Sequence, residues 1–135
     1  MAPYIFTKKI LAGDTIDINN NGDMWRDFTY IDDIVAGVLA ALDNPPEAGA
    51  ESPPHRVFNL GNNKPVALMD FITTLEGLIG KKSEWIYEPM QDGDVVETYA
   101  DIERAKAALG YAPVTNIEEG LSRFVSWYTD YSSRE

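Results

Sequence analysis

The stretch Trp25-Arg26-Asp27-Phe28-Thr29-Tyr30-Ile31-Asp32-Asp33-Ile34-Val35 decides the fold, because its periodicity changes halfway along. Arg26, Phe28 and Tyr30 alternate onto one face of an extended segment. Ile31, Ile34, Val35, Val38, Leu39 and Leu42 then recur at offsets of three and four, which predicts a helix with its apolar stripe turned to the core. Thr29 followed by Asp32 has the spacing of a capping pair, and Asp32 and Asp33 put carboxylates at the positive end of the helix dipole. Two acids there make a poor phosphate cradle, since they already compensate the dipole. The nearby cation is Arg26, on the strand side, whose guanidinium fork suits a phosphate or a carboxylate. An ion pair with Asp27 or another acid is the alternative.

Composition narrows the classes. The 135 residues suffice for one core, and 44% hydrophobic with 11% aromatic content separates the chain from disordered sequences. A net charge of −11 argues against nucleic acid and anionic membrane surfaces as partners, because both are bound through basic residues. No apolar run approaches the ~20 residues of a membrane span. Met1-Ala2-Pro3-Tyr4 has no basic or apolar signal region, so a cytoplasmic chain is expected. With no cysteine, disulfides, Cys-ligated zinc and thiol nucleophiles are excluded. The acidic field opposes any anionic ligand, so local cations or a partner chain must supply counter-charge.

Outward from the opening stretch, Tyr4, Ile5, Ile10 and Leu11 predict a helix stopped at Gly13, followed by a short strand at Ile16 and Ile18 and a turn at Asn19-Asn20-Asn21-Gly22. Residues 44–54, rich in proline, read as a flexible surface loop. His55-Arg56-Val57-Phe58-Asn59-Leu60-Gly61 reads as a strand buried on both faces. A helix follows over Leu68, Phe71, Ile72, Leu75, Leu78 and Ile79, closed by Gly80, and then a strand over residues 83–88. Asp101 caps a short helix through Leu109, and Asn116 caps the last one, with Ile117, Leu121, Phe124, Val125 and Tyr128 on its stripe. Trp85, Tyr87 and Trp127 are expected in the core or an interface. Trp25 is expected to cover an edge, Lys8-Lys9 and Lys81-Lys82 to be solvated helix ends, and His55 to be an ordinary surface residue. Residues 1–135 are read as a single domain with a frayed tail at 132–135.

Arg26-Asp27-Phe28-Thr29-Tyr30-Ile31-Asp32-Asp33-Ile34-Val35 resembles the RDFTYIDDIV segment of the NAD-dependent nucleotide-sugar epimerases and dehydratases, within the extended short-chain dehydrogenase/reductase family. Met1-Ala2 with Phe6-Thr7-Lys8 and Ile10-Leu11 is similar to that family's DMA…FTKAIL helix. Val57-Phe58-Asn59-Leu60-Gly61 is similar to its (Y/F)N(L/I)G strand. Met90-Gln91-Asp92-Gly93-Asp94-Val95, Thr98-Tyr99-Ala100-Asp101 and Leu109-Gly110-Tyr111-Ala112-Pro113 resemble MQPGDV, TYAD and LGYxP, in the family's order. Within the family the blocks lean toward the glucuronate 4-epimerases, with dehydratases and galactose epimerases as alternatives.

The resemblance implies an α/β fold, the C-terminal substrate-binding portion of an extended Rossmann-type epimerase, with short strands and about five helices. The N-terminal dinucleotide-binding unit is expected to be lacking, since the chain has neither a GxxGxxG turn nor a Tyr-x-x-x-Lys pair matching the catalytic one. The resemblance therefore implies no catalytic residue and no cofactor in this chain, NAD belonging to the complete parent enzyme. It implies that Arg26 contacts the diphosphate of a UDP-sugar and that Asp94 lies near the uridine ribose. Ile18 and Asn19 fall where the family packs against uracil. Gln91 stands where galactose epimerases carry a phosphate-binding arginine, and losing such a contact costs ~1.5–3 kcal/mol. Asp92 replaces the usual proline. Two readings follow: a UDP-sugar-binding lobe of a nucleotide-sugar 4-epimerase, inactive alone; or a non-enzymatic module. The module would self-associate, or bind the missing N-terminal half or another partner, through the surface a Rossmann half would cover.

Overall fold

A computed structural model describes residues 2–47 and 53–134. Along the chain run α1 (Ala2–Ala12), β1 (Ile16–Ile18), a 3-10 turn (Asn19–Gly22), β2 (Trp25–Arg26) and α2 (Ile31–Asp43). They are followed by β3 (Val66–Ala67), α3 (Leu68–Ile79), β4 (Trp85–Tyr87), α4 (Glu103–Leu109) and α5 (Ile117–Ser132). This is the expected α/β pattern of helices joined to short strands. The chain divides into two compact units.

The first unit comprises Met1–Arg26, Val66–Thr98 and Asn116–Glu135. Here β1 and β4 pair in parallel, Ile16 opposite Trp85 and Ile18 opposite Tyr87, while β2 and β3 pair antiparallel. Ile16 and Ile18 alternate with exposed Asp17, so the inward face of β1 is apolar, as a period of two requires. They join Ile10, Phe71, Ile72 and Leu75 in a buried core, with α3 packed against both α1 and α5. The Phe6 and Phe71 rings lie 6.1 Å apart, and Tyr4 meets Tyr128 edge-on at 5.3 Å. Gly80 ends α3 at φ +75°, a left-handed position where a side chain costs strain. Asn116 caps α5 as expected, its side chain accepting from the Glu119 N–H at 2.8 Å.

The second unit, Asp27–Pro65 with Tyr99–Thr115, packs α2 against α4. Ile102, Ala105 and Tyr111 form its core, with Phe58, Leu60 and Ala100 against them. Two carboxylates organise the loops. Asp27 accepts from the backbone N–H groups of Asn62, Asn63, Lys64 and Ala100 at 3.0–3.4 Å. Asp33 accepts from those of Val114 and Thr115, both at 3.1 Å.

Several expectations require correction. The strand read at 55–61 is not a strand: it pairs with no other segment among the described residues, and Val57 is 58% exposed. An apolar run becomes a strand only where another strand supplies its hydrogen bonds. The extended stretch ahead of α2 is likewise only two residues of strand, and α2 has Tyr30 at its N-cap with no side-chain cap bond, so the Thr29–Asp32 pair does not cap it. The α2 stripe does not face a core either. Ile31, Val35, Val38, Leu39 and Leu42 are 45–73% exposed, and α2 buries Asp33 and Gly37 instead. Of the core-or-interface aromatics, Trp127 stacks on Tyr131 at 5.3 Å on an exposed face and Tyr87 is also exposed, which removes the core half of that expectation for both. The lysine pairs are not simply solvated. Lys9 pairs with Asp17 at 2.6 Å, Lys81 donates to the Leu11 carbonyl at the end of α1, and Lys82 pairs with Glu76. Of the proline-rich loop, residues 48–52 lie outside the described residues, as does the last residue of the tail. Ser132 itself is still helical.

Candidate nucleotide-binding site

All five candidate residues belong to the first unit. Arg26 closes β2, which is flanked by β3 on one side and by the 96–98 segment on the other. Trp25 donates its N–H to the Val96 carbonyl at 2.8 Å and accepts from the Thr98 N–H at 3.2 Å. This framework fixes the guanidinium. Nη1 donates to the carbonyls of Trp25 (2.8 Å) and Val96 (3.1 Å), and Nη2 donates to Asp94 Oδ1 at 2.7 Å. The ion-pair alternative for Arg26 is therefore realised in this structure, with Asp94 as the acid. Both side chains keep solvent access, Arg26 at 23% and Asp94 at 34% exposed.

Asp94 sits in a turn: its N–H donates to the Gln91 carbonyl at 3.2 Å, and Gly93 takes φ +83°, a left-handed conformation that glycine adopts without strain. Asp94 Oδ1 also accepts from the Val95 N–H at 2.9 Å. Gln91 is exposed on the same turn. The start of this loop is tied to the end of β1, where the Glu88 N–H donates to the Ile18 carbonyl (2.9 Å) and the Glu88 carbonyl accepts from the Asn21 N–H (3.1 Å). Ile18 itself is fully buried, so this corner presents Asn19, half-buried at the head of the 3-10 turn. Asn20 and Asn21 hold that turn at φ +49° and +50°, which asparagine tolerates better than most residues. The structure thus joins Arg26, Asp94 and Gln91 directly, and connects Ile18 and Asn19 to their loop through Glu88.

A second cluster in this unit has no counterpart in the sequence reading. Glu76, 1% exposed on α3, accepts from Lys82 Nζ (2.9 Å), the Ser83 N–H (2.9 Å), Ser83 Oγ (2.7 Å) and Trp85 Nε1 (3.3 Å). Burial pushes its carboxyl pKa up, but the hydrogen bonds from Lys82 and Ser83 outweigh that and hold it below the ordinary value. With Tyr87, these residues line a shallow cleft of about 490 Å³. The sequence carried no signal for it beyond a glutamate within an apolar helix.

Among the described residues, the two strands that run directly into α-helices, β2 into α2 and β3 into α3, do so without a glycine between them. No group of three or more His, Asp or Glu is gathered for a metal among the described residues. No described helix is long and apolar enough to cross a membrane.

Residues 3–61 match the NAD dependent epimerase/dehydratase family. An uncharacterised Methanocaldococcus jannaschii protein is 46% identical over 130 residues, covering 96% of this chain and 38% of that protein. UDP-glucuronate 4-epimerase 4 of Arabidopsis thaliana is 44% identical over 143 residues, covering 98% of this chain and 33% of that protein. The chain thus spans less than two fifths of the length of these relatives. Among solved structures, the UDP-glucuronic acid 4-epimerase of Bacillus cereus in complex with UDP-glucuronic acid and NAD superposes with a TM-score of 0.85 at 29% identity, covering 97% of this chain and 40% of that one. Sequence blocks, fold and relatives agree, and the chain belongs to the NAD-dependent epimerase/dehydratase family.

Proposed function

We propose that this chain is the UDP-sugar-binding lobe of a nucleotide-sugar 4-epimerase acting on UDP-glucuronate in the cytoplasm, without turnover of its own. Arg26 binds the diphosphate, Asp94 and Gln91 flank the ribose and phosphates, and Asn19 borders the base with Ile18 beneath it. The observation that carries this reading is the fixed, partly exposed Arg26 guanidinium, set at the end of β2 beside the Gln91–Asp94 turn in a chain otherwise rich in acid. A preorganised arginine open to the ligand is the group a diphosphate needs against an unfavourable overall field. In the complete enzyme NAD would accept and return the hydride at the sugar C4, and the residues for that step lie outside the site described.

The test is calorimetric titration with UDP. Saturable binding is expected, weakened roughly ten- to hundredfold by Arg26→Ala, the loss of one charged hydrogen-bonding group. An epimerase assay with NAD and UDP-glucuronate should give no turnover, and measurable activity would overturn the inactive-lobe reading.

A second reading rests on α2. Its exposed apolar face, together with exposed Val57, supports a module that self-associates or binds a partner through that surface. Stable dimers without UDP binding would favour it.

A further inference from the structure

We propose that Asp94 is an internal stand-in for the phosphate, so that ligand capture is an exchange of one anion for another on Arg26. This inference rests on the reading of Arg26 as the diphosphate contact. It goes beyond that reading by assigning Asp94 a role in the unliganded state.

The three bonds of the guanidinium differ in kind. Those from Nη1 end on neutral carbonyls of Trp25 and Val96, both within the backbone pairing around β2. They orient the group without neutralising it. The bond from Nη2 ends on a carboxylate, at 2.7 Å, and this is the contact a phosphate oxygen would reproduce. An anion arriving at Nη2 meets Asp94 as a like charge at close range, so the two compete for the same donor.

The exchange is feasible because the pair is open to solvent while Nη1 keeps the guanidinium in place. Arg26 and Asp94 each keep solvent access, so their pair is screened and worth little in free energy. Asp94 Oδ1 retains the Val95 N–H when Nη2 is taken by the incoming anion, which spares it from becoming an orphaned charge. Its turn, with Gly93 left-handed and the Asp94 N–H on Gln91, is held by backbone and does not depend on the ion pair. By contrast, Asp27 has its carboxylate committed to four backbone N–H groups and cannot act as a releasable anion.

Inorganic pyrophosphate separates this device from nucleoside recognition, because it offers the charge without a ribose. It is titrated calorimetrically into the whole chain and into Asp94→Asn. Asparagine keeps an oxygen for the Val95 N–H and removes the competing charge. Pyrophosphate should bind about two- to fivefold more tightly to the variant, the equivalent of one solvent-exposed ion pair removed from competition. The gain should vanish in the Arg26→Lys, Asp94→Asn double variant, whose cation no longer presents the fork. Asp94→Ser, charge-free and smaller, repeats the test should the asparagine variant melt below the wild-type chain. Unchanged or weaker binding in the charge-free variants, or no pyrophosphate binding in any of them, overturns the exchange. If UDP binds and Arg26→Ala abolishes it while the variants show no gain, the exchange fails and the proposed function stands. If UDP does not bind but the variants gain pyrophosphate, the proposed function fails and Arg26–Asp94 remains a general anion switch.

Discussion

The buried polar residues show how differently single side chains can sit in one small core. Glu76 is charged, buried and fully supplied with donors, and its carboxyl pKa lies below the ordinary value of 4.5. Its ionised form therefore stabilises the fold above about pH 4.5, and that contribution is lost as the pH falls through the depressed value. Glu76→Gln should cost about 1–3 kcal/mol at pH 7, since an amide nitrogen replaces an acceptor among four donors. The gap between variant and wild type should narrow in urea melts as the pH is taken from 7 to 3. A constant gap would mean that the charge contributes nothing. Thr7 is the opposite case. It is fully buried on α1 and its hydroxyl has no hydrogen-bond partner, so that group lost water without replacement. Thr7→Val keeps the shape and removes the unsatisfied group, and should raise stability by about 1 kcal/mol in the same melts.

At the scale of elements, residues 62–64 and 100 of the second unit hang on one carboxylate, Asp27, and the glycine beside it leaves room for the arrangement. A Cβ on Gly61 would stand 2.3 Å from the Ala100 Cβ and 2.9 Å from Asp27 Oδ2. Ala100 has no torsion with which to retreat, so the backbone must move and the Asp27 bonds to Asn62, Asn63 and Ala100 must stretch. Gly61→Ala should therefore lower stability by about 1–3 kcal/mol and speed amide exchange at residues 62–64 and 100. A variant as stable and as protected as wild type would show the loop to be independent of the clamp. The same unit shows what was legible in the residues. Helices α1, α3 and α5 could be read because their apolar spacing is local, and the Asn116 cap lies within its own helix turn. Asp27 and Asp33 read as ordinary acids because their donors come from segments 35–82 residues away. The 55–61 run has the apolar pattern of a strand without being one, because a strand is a property of two segments and its own residues supply only one of them. At the site, Arg26 was legible as an anion contact, but its bond to the Val96 carbonyl depends on backbone pairing that side-chain patterns do not encode.

The whole molecule combines two features that act against each other in solution, a net charge of −11 and an α2 face whose apolar stripe is exposed. Copies of the chain repel through the first and attract through the second, and salt tells the two apart. Raising ionic strength from 0.05 to 0.5 M shortens the screening length to under about 5 Å, which removes most of the repulsion and leaves apolar contact untouched. Sedimentation velocity should therefore show association that strengthens with both protein concentration and salt. Val38→Glu with Leu42→Lys puts charges on the stripe at two exposed positions of one helix face, and should leave the chain monomeric under all those conditions. Because neither side chain is buried, the unfolding free energy should stay within ~0.5 kcal/mol of wild type, so a lost association could not be blamed on a damaged fold. Association that weakens with salt would point to ion pairs instead. A wild-type chain that stays monomeric throughout would mean that the exposed stripe is not sufficient to draw a second copy.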